Sequence, residues 1–311
     1  MNKLTVSSSP HIHSSSSTSR IMLDVIIALL PTAIAGVVIF GLQSLIVIVS
    51  CVLASVLSEF IYNIIVKKEQ TVTDLSAVVT GLILALNLRA DTPVWQCVLG
   101  SVFAIIVAKC LFGGLGCNFA NPAITGRIFM LMCFSSTVGG GAAVKVMDAV
   151  SSATPLELMG AEDIVGLPSL SDMFLGIRAG AIGEVCGAAI LVGFIYLVAR
   201  RVIHFETPLI YVLTVFVLAL IITNDPTIAL YHVLAGGLLF ASVFMITDYV
   251  STPITRAGKM IFAFGCGIIT VLIRFFGTYP EGVSFAILFM NILSPYIEKW
   301  TAKSPLGGKK S

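Results

Sequence analysis

Residues 21–40, IMLDVIIALLPTAIAGVVIF, and residues 43–66, QSLIVIVSCVLASVLSEFIYNIIV, form two nearly uninterrupted apolar runs. Each reaches the ~20 residues that an α-helix needs to cross a bilayer. Working outward from them, the rest of the chain repeats the pattern. Only 18 basic and 16 acidic side chains occur among 311 residues, so 11% of the chain is charged while 57% is hydrophobic. A soluble domain carries charge on roughly a quarter of its residues, which excludes an ordinary globular protein. The net charge of +2 gives no basic footprint for nucleic acid.

Apolar runs predict ten membrane helices, at about 21–40, 43–66, 75–89, 94–112, 121–135, 181–199, 207–223, 229–247, 260–276 and 283–298. The third and fifth are short: ~15 residues at 1.5 Å each cover about 22 Å, less than the hydrocarbon core, so tilted, broken or re-entrant helices are expected there. With the N-terminus inside, Lys3, Arg20, Lys67, Lys68, Lys109, Arg127, Arg200, Arg201, Arg256, Lys259, Lys299, Lys303, Lys309 and Lys310 fall on the cytoplasmic face. Arg89, Lys145, Arg178 and Arg274 fall outside, a positive-inside bias. The resulting organisation is a flexible polar cytoplasmic tail (1–20), a first membrane half (21–135), an outer-face loop (136–180), a second membrane half (181–298) and a basic cytoplasmic tail (299–311). The serine-rich start is too polar to bury a core. The first apolar run is too long for a signal-peptide core and is followed by further spans.

A weak internal repeat agrees with that count. Thr80-Gly81-Leu82-Ile83-Leu84 resembles Gly236-Gly237-Leu238-Leu239-Phe240, Thr92-Pro93 matches Thr252-Pro253, and Phe112-Gly113 matches Phe276-Gly277. Five helices per half is an odd number, so the halves would insert with opposite orientation, as in many transporters whose sites lie at broken helices near the midplane. An all-α polytopic protein with two inverted five-helix repeats is therefore expected. The seven cysteines make no C-x-x-C spacing, and we read them as small apolar packing residues. The four histidines lack a paired spacing within one span, leaving haem ligation unsupported.

Three places could carry chemistry. In Asp148-Ala149-Val150-Ser151-Ser152-Ala153-Thr154-Pro155-Leu156-Glu157, Thr154 as N-cap, Pro155 as first helical residue and Glu157 as third compose a capping box. A helix start is also where backbone N–H groups hold a phosphate, so capping and phosphate attachment can share the site. In Gly113-Gly114-Leu115-Gly116-Cys117-Asn118-Phe119-Ala120-Asn121-Pro122, the glycines permit tight turns and Pro122 can open a helix. The carboxamides of Asn118 and Asn121 could alternatively address a polar ligand edge, because non-helical backbone at membrane depth is tolerated where it lines a site. Membrane carboxylates are costly, which nominates Glu184 for an ion path. Asp24 is a second candidate, although it could instead pair with Arg20 at the interface.

The motif Asp148-x-x-Ser151-x-Ala153-Thr154 resembles the one at which a flavin transferase joins FMN to a threonine hydroxyl. Around it the chain resembles the family of Rnf electron-transport D subunits and the B subunits of sodium-pumping NADH:quinone oxidoreductases. The resemblance runs through Ser9-Pro10-His11, Ile21 to Pro31, Ser76 to Gly81, Gly113 to Ala123 and Thr247-Asp248. The short polar tail favours the Rnf branch.

The resemblance implies covalent FMN at Thr154 through a phosphoester and a non-covalent riboflavin near Asn118 and Asn121. It implies an ion-translocating ferredoxin:NAD+ oxidoreductase complex, moving Na+ or H+ across a bacterial cytoplasmic membrane. Partners would be the other membrane and peripheral Rnf subunits and the flavin transferase. Other subunits would meet ferredoxin and NAD, since this chain has neither a dinucleotide glycine fingerprint nor an iron–sulfur cysteine spacing. Family members often carry a hydroxyl after the glutamate, where this chain has Val185 and Cys186. Without the flavin motif, a redox-inactive channel or secondary transporter would suit the same repeat.

Overall fold

The computed structural model describes residues 17–139, 154–160, 166–277 and 281–302. Its order is α1 (Thr18–Phe40), α2 (Leu42–Val66), α3 (Ser76–Leu86), α4 (Val94–Val102, continuing as a π-helix over Phe103–Cys110) and α5 (Pro122–Cys133). Three short helices follow: α6 (Ser135–Val138), α7 (Pro155–Gly160) and α8 (Leu170–Leu175). The second half contains α9 (Gly187–Ala199), α10 (Glu206–Thr223), α11 (Pro226–Leu234), α12 (Leu238–Phe244), α13 (Arg256–Phe276) and α14 (Val283–Thr301).

Helices α1, α2, α10 and α13 are each long and apolar enough to cross a membrane, and α11 with α12 makes a fifth candidate, bent by 55°. The protein is thus a polytopic helical membrane protein. Four of the remaining apolar runs form shorter helices: α3 has 11 residues and α5 has 12, about 17 and 18 Å at 1.5 Å per residue. The sixth expected helix begins only at Gly187, leaving 181–186 non-helical. The eighth is the bent pair, broken at Ala235-Gly236-Gly237, where Gly236 holds φ +64°. Such a left-handed position suits glycine, which has no Cβ to collide. Helix α1 starts at Thr18, capped by the Ser17 side chain, and α14 runs to Thr301, so both ends of the helical body reach into the segments expected as tails.

Antiparallel pairs join the halves. Asp24 near the start of α1 bonds to Tyr196 and Arg200 at the end of α9, Gly193 lies against the Ala28 carbonyl, and Gly36 lies against Ile182. Helices α5 and α14 run oppositely too. Arg127 bonds to Glu281 just before α14. With the Asn291 amide assigned by its hydrogen-bond partners, its oxygen accepts the Asn121 N–H at 3.2 Å and its nitrogen donates to the Ser251 carbonyl at 3.0 Å.

Non-helical backbone within the bundle is satisfied locally. The Ile182 N–H donates to the Leu88 carbonyl at 3.0 Å and the Gly183 N–H to the Leu86 carbonyl at 2.7 Å. This joins the end of α3 to the segment before α9, as an apolar environment requires of unpaired peptide groups. Small residues permit the close contacts: a Cβ on Gly81 would sit 2.9 Å from both the Cys51 carbonyl oxygen and the Val52 Cα.

Candidate functional site

An open cleft lies among segments that are distant in sequence, including Leu197, Val202 and Ile203 from the end of α9 and the connection after it. Ile21, Met22 and Val25 come from α1, Ser76, Val79 and Thr80 from α3, Asn118, Asn121 and Pro122 from the glycine-rich connection and α5, and Thr247 and Asp248 from the stretch after α12. These are four of the segments on which the family resemblance rests.

The glycine-rich connection needs its glycines: Gly113, Gly114 and Gly116 hold φ of +124°, +103° and +90°. Asn121 then caps α5, its Oδ1 accepting from the Ala123 N–H at 3.0 Å and the Ile124 N–H at 3.4 Å, with Pro122 as the first helical residue. Capping and cleft lining therefore coincide in one side chain, whose Nδ2 has no hydrogen-bond partner among the described residues. The Asn118 Nδ2 reaches the Ala120 carbonyl at 3.5 Å, whereas its buried Oδ1 has no partner among the described residues. A buried acceptor without a donor costs on the order of 1–3 kcal/mol, and a ligand N–H or O–H would relieve it. The donors, acceptors and apolar walls of the cleft fit a flavin ring system.

Lys109 and Asp248 are two charged residues of this wall that the charge pattern alone does not single out. Lys109 is not on a cytoplasmic surface: it is 1% exposed and its Nζ donates to Glu59 at 2.9 and 3.0 Å and to Ser76 Oγ at 2.6 Å. Thr71 donates to Glu59 at 2.7 Å and accepts from Asn63 at 3.1 Å. The π-helical turn of residues 103–110 carries Lys109 into this network, a kind of irregularity that recurs at functional positions. Asp248 accepts from Ser251 Oγ at 2.8 Å. The Thr247-Asp248 pair is visible in the sequence as a shared motif, but its neighbours are not.

Thr154 is half-buried, and its capping box forms. The Thr154 N–H donates to Glu157 Oε2 at 2.7 Å and the Glu157 N–H donates to Thr154 Oγ1 at 3.2 Å. Among the described residues the hydroxyl proton has no acceptor, and esterification would leave the oxygen able to accept. Asp148, Ser151 and Ala153 lie outside the described residues. Beside Thr154, Leu156 packs with Met173 and Ala235 and meets Gly236 at the helix break. The other side of that break meets a buried charged group: Gly237 faces Glu184 Oε2 and Arg127 Nη1.

Glu184 lies in the non-helical stretch before α9, and its Oε2 has no partner among the described residues. Arg178 holds the stretch by donating to the backbone carbonyls of Glu184 at 2.6 Å and Val185 at 3.3 Å. Arg127 is buried and bonds to Asn87 and Glu281, so it too is removed from the cytoplasmic surface. Arg274 donates to the carbonyls of His232, Ala235 and Glu281. Asp24 is salt-bridged to Arg200 at 3.2 Å and accepts from the Tyr196 hydroxyl at 3.0 Å. The Arg20 pairing expected from helical spacing gives way to a cation supplied by the neighbouring helix.

The sequence profile described as the NQR2, RnfD, RnfE family matches residues 5–307. The chain belongs to this family. Among its relatives, the D subunit of a Na(+)-translocating ferredoxin:NAD(+) oxidoreductase complex from Acetobacterium woodii is 46% identical over 310 residues, covering 99% of this chain and 96% of the relative. The D subunit of a proton-translocating ferredoxin:NAD(+) oxidoreductase complex from Clostridium ljungdahlii is 38% identical, covering 99% and 98%. The D subunit of an ion-translocating oxidoreductase complex from Escherichia coli strain K12 is 32% identical, covering 98% and 99%. Membership of the NQR2, RnfD, RnfE family thus extends through both halves and the short helices between them.

Proposed function

We propose that this protein is the D subunit of an ion-translocating ferredoxin:NAD+ oxidoreductase in a bacterial cytoplasmic membrane. The convergence of four family segments on one cleft, with the Asn118 Oδ1 left unpaired inside it, carries this reading. Thr154 would hold FMN through its hydroxyl as a phosphoester, and Asn118 and Asn121 would hold a riboflavin in the cleft. The flavins would supply one- and two-electron transfer while the protein supplies placement. Asn118 would accept from the ligand's polar edge, Asn121 would donate its Nδ2, and the apolar residues of α1 and α3 would exclude water.

The chain would cross the membrane ten times as two inverted five-helix repeats, with both termini cytoplasmic and the Thr154 segment on the outer face. Helices α1 and α9 are counterparts under that repeat, as are α5 and α14, and their antiparallel contacts support it. Glu184 and Asp24 are the ion-path candidates for Na+ or H+. The other Rnf subunits would surround this one and receive ferredoxin and NAD, and a flavin transferase would mature it.

Mass spectrometry of the Thr154 peptide, from cells containing that transferase, tests the assignment. An FMN-sized adduct that disappears in Thr154→Val is expected. Its absence from the native protein would overturn the redox reading in favour of a channel or secondary transporter, which the bent α11–α12 pair would also suit.

A further inference from the structure

One wall of the cleft is backed by a buried charge network. Lys109 and Ser76 line the cleft, whereas Glu59, Thr71, Asn63 and Asp74, which continue the same network, do not. Among the described residues Lys109 is the one basic residue of the lining, and Asp248, bonded to the Ser251 hydroxyl and the Val250 N–H, is the one carboxylate. The Lys109–Glu59 pair therefore presents its cation to the cleft and keeps its carboxylate behind.

That ammonium has no hydrogen bond left to give. Its three N–H groups go to Glu59 Oε1 at 3.0 Å, Glu59 Oε2 at 2.9 Å and Ser76 Oγ at 2.6 Å. The Ser76 hydroxyl in turn donates to Asp74, and the exposed Thr71 donates to Glu59 at 2.7 Å. What Lys109 offers a molecule in the cleft is therefore its charge and not a donor. Stability does not account for the pair either, since apolar residues of similar volume in place of a buried ion pair are often neutral or stabilising.

Reduction of a flavin adds negative charge to its ring, here beside apolar walls that include Ile21, Val79 and Ile83. At an effective dielectric of about 20, a unit charge within roughly 10 Å changes such an equilibrium on the order of tenfold. Lys109 is 1% exposed, and salt screens a buried charge far less than a surface one.

We propose that the Lys109–Glu59 pair sets the reduction potential of the flavin held in this cleft, its cationic end stabilising the reduced ring. This rests on the flavin reading above. The pair acts through its field: Lys109 and Glu59 keep their protons, no bond to either forms or breaks, and the electron added to the ring comes from a reduced one-electron carrier of the complex. Potentiometric titration of the purified complex tests it, each variant being referred to the same complex carrying Asn118→Leu, so that the difference isolates the cleft flavin. Lys109→Met should destabilise the reduced form about tenfold, a fall of about 59 mV for one electron. Lys109→Met with Glu59→Gln should shift it in the same direction by no more than that, and Lys109→Arg should keep the native value. The shift should be the same at low and high salt.

The double variant separates field from folding, because removing both members of a buried pair spares stability where removing one does not; it carries the test if Lys109→Met does not accumulate. A native potential in the double variant, with flavin still bound, would overturn the proposal and leave the flavin reading standing. A native complex whose flavin signal is unchanged by Asn118→Leu would overturn both, because the flavin would then lie elsewhere.

Discussion

Replacing Lys109 by methionine keeps an unbranched apolar stem and removes one charge from a pair that water does not reach. Lys109 and Glu59 are 1% and 2% exposed, and Nζ approaches both carboxylate oxygens, at 2.9 and 3.0 Å. In Lys109→Met, Glu59 keeps only the Thr71 hydroxyl among its side-chain partners in the described residues, and Ser76 Oγ loses a donor. Leaving one member of a buried pair uncompensated costs about 3–5 kcal/mol, whereas replacing both members is often close to neutral. Lys109→Met should therefore be strongly destabilised, and Lys109→Met with Glu59→Gln should recover all but about 1–2 kcal/mol, a residue of lost hydrogen bonds. Equilibrium unfolding in mixed micelles, on the two single variants and the double, gives the coupling directly. Equal losses in the single and double variants, or a single-variant loss below about 1 kcal/mol, would refute the claim that this network is a desolvated ion pair.

Replacing Asn118 and Asn121 together by leucine should reduce non-covalent flavin in the purified protein and leave the Thr154 adduct unchanged. The Asn121 change also removes the α5 cap, worth ~1 kcal/mol, so Asn118→Leu alone provides the cleaner comparison; unchanged riboflavin content would move the ligand elsewhere. For ion movement, Glu184→Gln should slow Na+- or H+-coupled transport in sealed vesicles assayed with and without Na+. Asp24→Asn, which loosens a contact to the largely exposed Arg200 side chain, should cost at most about 1 kcal/mol of stability. Transport in which Glu184→Gln matches the native protein would remove Glu184 from the path.

What is legible in the sequence follows from how far each residue must reach for its partner. Thr154 and Glu157 are three residues apart, so the capping box can be read directly from spacing and occurs as expected. The long apolar runs at α1, α2, α10 and α13 are equally plain, because composition along one helix decides them. Lys109 and Arg127 are misplaced by a linear reading for the opposite reason: a count of cations assumes that each reaches a surface, yet their neutralising partners are 50 and 154 residues away. Asp24 shows the same limit at shorter range in space. Helical spacing offers Arg20, but the packing of α1 against an antiparallel α9 supplies Arg200 at a separation of 176 residues. Opposed orientation also explains why the cleft is invisible to a linear scan. Its walls come from both halves, and between α1 and the antiparallel α9 with the stretch before it the separation in number changes from contact to contact, from 176 for Asp24 and Arg200 to 146 for Gly36 and Ile182, so no fixed spacing marks it. Shared family segments can mark those walls without giving their distances. Only their assembly reveals that Asn118, Asn121, Thr247 and Asp248 share a cleft whose other charged wall residue, Lys109, is held in a buried ion pair.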